Sequence, residues 1–319
     1  MKKTISLTLL FTLLAVAGYF GSVRTYSQGQ GQGQGQDDNV PPEVLHRPNP
    51  HAPGYAPSTG GTGATSPISW HGGPVIATPT IYIVWYGNWN QSNGSDNPAG
   101  QQIVRDFANS IGGSQHFGLN NSYSIAGTTI TGNVIFGGEY TDTGSQGTRL
   151  SDNKVRTVIL NSIGPGKLPY DPSGVYFLLS SSNVSESSGF CSRYCGWHTA
   201  TTATVGRIRY SFVGNANRCL SGCAAQSISP NGNAGVDGMI SVITHELEEA
   251  TSDPDLNAWY DSGGAENADK CAWTFGHFQY QVANGSWANI HLGSRDYLIQ
   301  RNLWHTASGD FCMMDPTHN

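Results

Sequence analysis

The chain has 319 residues, a formal net charge of −6 and only 12% charged residues, with 41 Gly and six Cys. No basic run interrupts it, which argues against nucleic acid and anionic membrane surfaces as partners. Once the N-terminal segments described next are set aside, roughly 250 residues remain, enough for one sizeable domain.

Lys2 and Lys3 precede an apolar run over residues 5–20, the form of a secretory signal over 1–22, with cleavage after Ala17 or Ser22. The run is short for a membrane span. Residues 23–67 open on a Gln/Gly repeat and continue Pro-, Gly- and Ser-rich, a composition that cannot bury enough apolar surface to offset its ordering entropy. They are expected to form a disordered linker before a single domain over 68–319. The expectation is a secreted monomer, extracellular or periplasmic, free of the membrane after cleavage.

Residues 81–86 are aromatic and β-branched on both faces, which predicts a central strand. A surface helix is expected over 101–111, with Ile103, Val104, Phe107, Ala108 and Ile111 on one side and Gly112-Gly113 as its stop. Residues 122–140 alternate Thr, Ile and Val between glycines and suggest one or two short strands. Ser151 is the expected N-cap of a helix carrying Val155, Val158, Ile159 and Ile163. Strands follow at 175–179 and 208–213, with a loop containing Gly196-Trp197-His198 between them. Trp85, Trp89 and Trp197 read as core.

A helix is predicted over 235–252 from Met239, Ile240, Val242, Ile243, Leu247 and Ala250, and Asp253-Pro254 ends it. Short strands and loops dominate after it. The fold class is α+β or α/β, a mixed β-sheet with packed helices and disulfide-stabilised loops. An even number of cysteines in an exported chain predicts disulfides. The expected pairs are Cys191–Cys195, Cys219–Cys223 and Cys271–Cys312. A four-cysteine zinc site is the rival for the first four.

The long helix carries the chemistry. His245 and Glu249 are four residues apart and share a face, with Glu246 beside them. In a His-Glu-x-x-His helix two His bind zinc and the Glu deprotonates a metal-bound water. Here Glu249 stands where the second His would be and can ligate through a carboxylate oxygen. The helix is thus similar to the active-site helix of zincin metallopeptidases. Glu266 is the first candidate for a third ligand. Asp269 is expected to ligate or to orient His245, and Asp253 and Asp255 are rivals. Glu246 is the expected general base, and Tyr260, His198 and His277 are candidates to support an oxyanion. Zinc is the first expectation, with manganese and calcium as alternatives on ligand chemistry.

Several separate motifs also resemble the phosphate-induced protein 1, or EXORDIUM-like, family. They are Trp70-His71-Gly72-Gly73-Pro74, Val84-Trp85-Tyr86-Gly87-Asn88-Trp89, Gly189-Phe190-Cys191, Cys195-Gly196-Trp197-His198, Phe212-Val213-Gly214-Asn215, Pro230-Asn231-Gly232 and Gly235-Val236-Asp237-Gly238-Met239-Ile240. The resemblance runs from about residue 70 to the C-terminus and is that of a bacterial-type member. It implies a secreted or cell-wall protein associated with growth and nutrient signalling, without a defined reaction. Two functions follow. One is a secreted metal-dependent hydrolase, most simply a zinc metallopeptidase acting on a peptide, a protein or a cell-wall polymer. The other is a non-catalytic extracellular binding or signalling protein with a structural metal site.

Overall fold

The sheet grows outward from Thr80–Tyr86 (β1), seven residues that are all buried. Their β-branched and aromatic side chains suit a strand covered on both faces, which is why the sequence shows no polar alternation there. The computed structural model describes residues 66–319. The expected signal peptide and all but the last two residues of the expected linker lie outside the described residues.

Pro98–Ala108 (α1) follows β1, with Pro98 at its first turn and Asn97 accepting from Gly100 N as N-cap. It packs Ile103, Val104 and Phe107 inward. The chain then returns as Ile135–Asp142 (β2), parallel to β1. β2 alternates between exposed and half-buried positions, as an edge strand does. Gly137 permits its close approach: a Cβ there would meet the Tyr82 ring at 2.4 Å. Strand structure was expected over 122–140, but residues before 135 form a 3-10 turn at Phe117–Tyr123 and a tight turn bridged by Ile125 and Thr128. Glycines at 127 and 132, both with positive φ, break the extended path there.

Asp152–Asn161 (α2) and Gly174–Ser180 (β3) follow, and β3 pairs in parallel with the other edge of β1. Gly196–Ala203 (β4) and Gly206–Gly214 (β5) form an antiparallel hairpin, with β5 parallel to β3. The sheet order is β2-β1-β3-β5-β4. The segment Gly196-Trp197-His198, expected in a loop, is therefore the start of an edge strand. Its β-branched signal (Thr199, Thr201 and Thr202) begins only after the glycine and the aromatic.

Ala234–Ser252 (α3) packs on the sheet and on α1, and every residue from Gly235 onward is buried. Asn233 caps it by accepting from Val236 N. Gly238 lets it approach the preceding segment, because a Cβ there would meet Cys223 O at 2.7 Å. The remaining chain forms short antiparallel pairs, among them Asn302–Thr306 with Gly309–Met313. This is an α+β arrangement, and Trp85, Trp89 and Trp197 all lie in its core.

Three disulfides staple it. Cys271–Cys312 joins the expected partners. The other two differ from expectation: Cys191 pairs with Cys219 and Cys195 with Cys223. The reason is the β4–β5 hairpin. Antiparallel pairing of Gly196 with Val213 sets the chain entering β4 beside the chain leaving β5, so the bridges cross between segments. With no cysteine left free, the four-cysteine zinc site is excluded.

Candidate functional site

Two elements of the fold meet at a buried polar cluster, and a third segment closes it. α3 contributes His245, Glu246, Glu248 and Glu249. β4 contributes His198, which alternates with core-facing Trp197 and so points toward α3 as Gly196 does. A Cβ on Gly196 would lie 2.6 Å from Val242 and 3.1 Å from Glu246 Oε1, so the glycine lets strand and helix close up. The polar segment after α3 contributes Glu266 and Asp269.

The distances define two groups. His198 Nδ1 lies 3.5 Å from both Glu246 Oε2 and Glu249 Oε2. His245 Nε2 lies 2.9 Å from Glu249 Oε1 and 3.5 Å from Asp269 Oδ1. One donor atom per residue converges within 4.8 Å in each of the sets His198/Glu246/Glu249 and His245/Glu249/Asp269, the composition of a cation site. His198, His245, Glu246, Glu249 and Glu266 are at most 3% exposed, and only Asp269 is partly open to solvent.

Several of these buried atoms find no hydrogen-bond partner among the described residues: both ring nitrogens of His245, both carboxylate oxygens of Glu246, His198 Nδ1 and Glu266 Oε1. Native interiors rarely leave such groups unpaired, and each calls for an explanation. Electrostatics agree. Burial pushes the Glu246 carboxyl up to about 7, and it drives Glu266 well above the carboxylate range. Burial works the same way on Glu249, but the adjacent His245 and His198 outweigh it and hold Glu249 low. Burial would lower both histidines, yet the surrounding carboxylates raise His198 and His245 well above their ordinary value. Either protons or cations must balance this much buried carboxylate.

The expected site residues are brought together unequally. His245, Glu249 and Asp269 converge, and Glu246 lies beside them. Glu266 instead faces the far side of His198, its Oε1 3.6 Å from His198 Nε2. Asp253 spends its carboxylate on the backbone N–H groups of Asn257 and Ala258, while its carbonyl lies 3.3 Å from His198 Nε2. Asp255 is removed from the cluster by ion pairs to Arg207 and Arg209. Tyr260 stacks on His71, and the His277 N–H donates to Asn319 O at the chain end.

His198, weighed in the sequence only as support for an oxyanion, enters the donor set itself. The missed signal was the alternation Gly196/His198, legible only once the segment is known to be a strand. A second pair was not anticipated: His116 Nε2 lies 2.8 Å from Glu248 Oε1, and both residues are buried. Next to it, Asn120 Oδ1 accepts from the side-chain amides of Asn267 and Asn302. α3 is thus tied through polar side chains on more than one side.

A disulfide-bonded α+β domain with a largely buried His–carboxylate cluster between helix and sheet edge is the class these features define. Residues 68–297, which contain the whole cluster, match the family model described as the phosphate-induced protein 1 conserved region. Protein EXORDIUM-like 3 of Arabidopsis thaliana is 33% identical over 282 residues, covering 76% of this chain and 81% of that protein. Protein EXORDIUM-like 5 of the same plant is 32% identical over 223 residues, covering 60% of this chain and 59% of its own length. No solved structure gives a significant match. The chain belongs to the phosphate-induced protein 1 family.

Proposed function

We propose that this protein is an exported, non-catalytic EXORDIUM-like module that acts by binding outside the cell, and that a divalent cation in the His–carboxylate cluster serves to hold its interior together. The observation that carries this reading is enclosure. A hydrolytic metal needs an open coordination position facing a cleft large enough for substrate. Here the base that would activate water, Glu246, is fully buried along with His198 and His245. A donor set enclosed on every side but that of Asp269 suits a structural ion, and binding an ion that the unfolded chain cannot hold stabilises the fold by mass action. The disulfides fit an oxidising, extracellular setting. No helix of the described residues is long and apolar enough to cross a membrane.

The metal-dependent hydrolase remains a second reading because of one observation: Asp269 is partly exposed, so the His245 side of the cluster has a solvent-facing wall. One set of measurements separates the two. Chain from which residues 1–22 have been removed is assayed for bound metal, for thermal unfolding with and without chelator, and for cleavage of casein and of a peptide library. The expected result is bound metal, a melting temperature lowered by chelation, and no cleavage that depends on Glu246. Hydrolysis abolished by Glu246→Gln with the melting temperature retained would overturn the structural reading in favour of the enzyme. Metal-free protein whose melting is indifferent to added Zn²⁺, Mn²⁺ or Ca²⁺ would remove the cation from both.

A further inference from the structure

The two candidate donor sets share one residue, and they share it through different atoms. Glu249 turns Oε2 toward His198 and Oε1 toward His245. We propose that the cluster binds two divalent cations bridged by the Glu249 carboxylate, one held by His198, Glu246 and Glu249, the other by His245, Glu249 and Asp269. The inference rests on the cation reading above and adds the number of ions and the bridge.

Four observations carry it. First, each set brings three donor atoms within 4.8 Å of one another, and a carboxylate shared edge to edge is a common way to hold paired metals about 3.5–4 Å apart. Second, the orphaned atoms fall on both sides of the bridge: His198 Nδ1 and both Glu246 oxygens on one, His245 Nε2 on the other. A single ion would leave one side unexplained. His245 Nε2 sits 2.9 Å from Glu249 Oε1 yet makes no hydrogen bond, so the ring nitrogen is not aimed as an N–H donor at that oxygen.

Third, the charges favour more than one ion. Glu246, Glu249 and Asp269, the carboxylates of the two donor sets, carry three negative charges when ionised, and neutral imidazoles are the form that ligates. One divalent cation leaves those buried donors with a residual negative charge, and a second offsets it, with the Glu266 carboxyl beside them to balance the excess. Fourth, His198 is set up for ligation through Nδ1. Its Nε2 lies 3.3 Å from Asp253 O, an acceptor that places the proton on Nε2 and leaves the Nδ1 lone pair for a metal.

Each ion would join a different pair of elements: the first ties β4 to α3, the second ties α3 to the segment 266–271. The test is equilibrium dialysis of chelator-stripped, exported chain against Zn²⁺ and, separately, against Mn²⁺, with metal counted per chain. Two equivalents of either ion are expected, together with an exchange-coupled electron paramagnetic resonance signal wherever Mn²⁺ loads. His198→Ala and Asp269→Ala should each keep one equivalent and, where Mn²⁺ loads, show only isolated-ion signals. Glu249→Ala should weaken both sites. If a variant fails to fold, the wild-type stoichiometry and coupling still decide. One equivalent of each ion on the wild type overturns the bridge and leaves the single-cation reading standing. No bound ion of either kind overturns both, and the cluster is then a proton-sharing network.

Discussion

The sheet half of the molecule, residues 80–214, and the part after α3, residues 253–319, are stabilised by different means. In the first, β1 and β3 are seven-residue strands buried along their whole length, with Val84, Trp85, Phe177 and Leu178 fully enclosed. In the second, strands are two to five residues long and lie in separate two-stranded pairs. There, a disulfide, the buried Lys270–Asp261 ion pair and side-chain hydrogen bonds add to scattered buried apolar residues such as Phe275, Ile299 and Leu303. The contrast shows that α3 is more than a packing helix. Its apolar residues pack into the core, while its buried polar residues reach both ways: Glu246 and Glu249 to His198 of β4 and Glu248 to His116, His245 and Glu249 also to Asp269.

The largest effect should come from the sheet. Phe177→Ala in β3 removes a fully buried ring and should cost about 3–5 kcal/mol, seen as a lower urea midpoint in one cooperative transition. If only the sheet half unfolded, the two regions would be independent units and the contrast would be one of domains rather than of means. Next comes the Cys271–Cys312 bridge, which closes a sequence separation of 41 residues and anchors the segment carrying Glu266 and Asp269. Replacing both cysteines by Ala should cost about 4 kcal/mol in the loop-entropy picture. Hydrogen exchange should rise first over 259–319 and leave β1 and β3 protected. Equal loss of protection in both regions would erase the distinction.

Legibility followed the same divide. The buried strands and the helices were readable because each repeats one signal over many residues: β-branched runs for β1, β3 and β5, 3.6-residue spacing for α1, α2 and α3. Of the helix stops only that of α3 at Ser252 was, since α1 ends at Ala108 rather than at 111 and α2 at Asn161, short of Ile163. His245 and Glu249 were readable as a pair because four residues on a helix fixes their relation whatever surrounds them. The rest depended on relations between distant segments. His198 joins the cluster only because the antiparallel pairing of β4 with β5 makes a glycine-led stretch into a strand. The same pairing decides that Cys191 meets Cys219 rather than Cys195. Glu266 and Asp269 lie three residues apart in a loop without periodicity, so nothing local could assign one to His198 and the other to His245.

A smaller effect, about 2 kcal/mol, is expected from Asp261→Asn in the C-terminal part. Lys270 is almost fully buried and its Nζ donates to Asp261 Oδ2 at 2.5 Å, so the substitution leaves an ammonium without its counter-charge. Burial alone would raise the Asp261 carboxyl, but the Lys270 ammonium and the backbone N–H groups of Gly263 and Ala265 hold it below the usual value. A depressed folded-state pKa contributes stability that is complete above the unfolded value of about 4 and is lost as pH falls through the depressed one. Unfolding free energy measured down that acid limb should therefore fall less steeply in Asp261→Asn than in the wild type. Parallel acid limbs would mean that Lys270 is held by its surroundings and not by this partner.

The smallest effect belongs to the sheet half and tests whether polar contacts matter there at all. Arg105 on α1 forks onto Glu139 of β2, with Nε to Oε2 at 2.7 Å and a second nitrogen to Oε1 at 2.9 Å. Trp85 Nε1 also donates to Glu139 Oε2, and the guanidinium lies over the Trp85 ring at 5.7 Å. The geometry is bidentate, yet the two side chains are 26% and 35% exposed, so solvent screens the pair. A double-mutant cycle of Arg105→Ala and Glu139→Ala should return a coupling of no more than about 1 kcal/mol, shrinking further in high salt. A coupling of several kcal/mol that salt leaves untouched would show that the sheet half, too, leans on a buried ion pair. The division between an apolar region and a polar one would then have to be redrawn around α1.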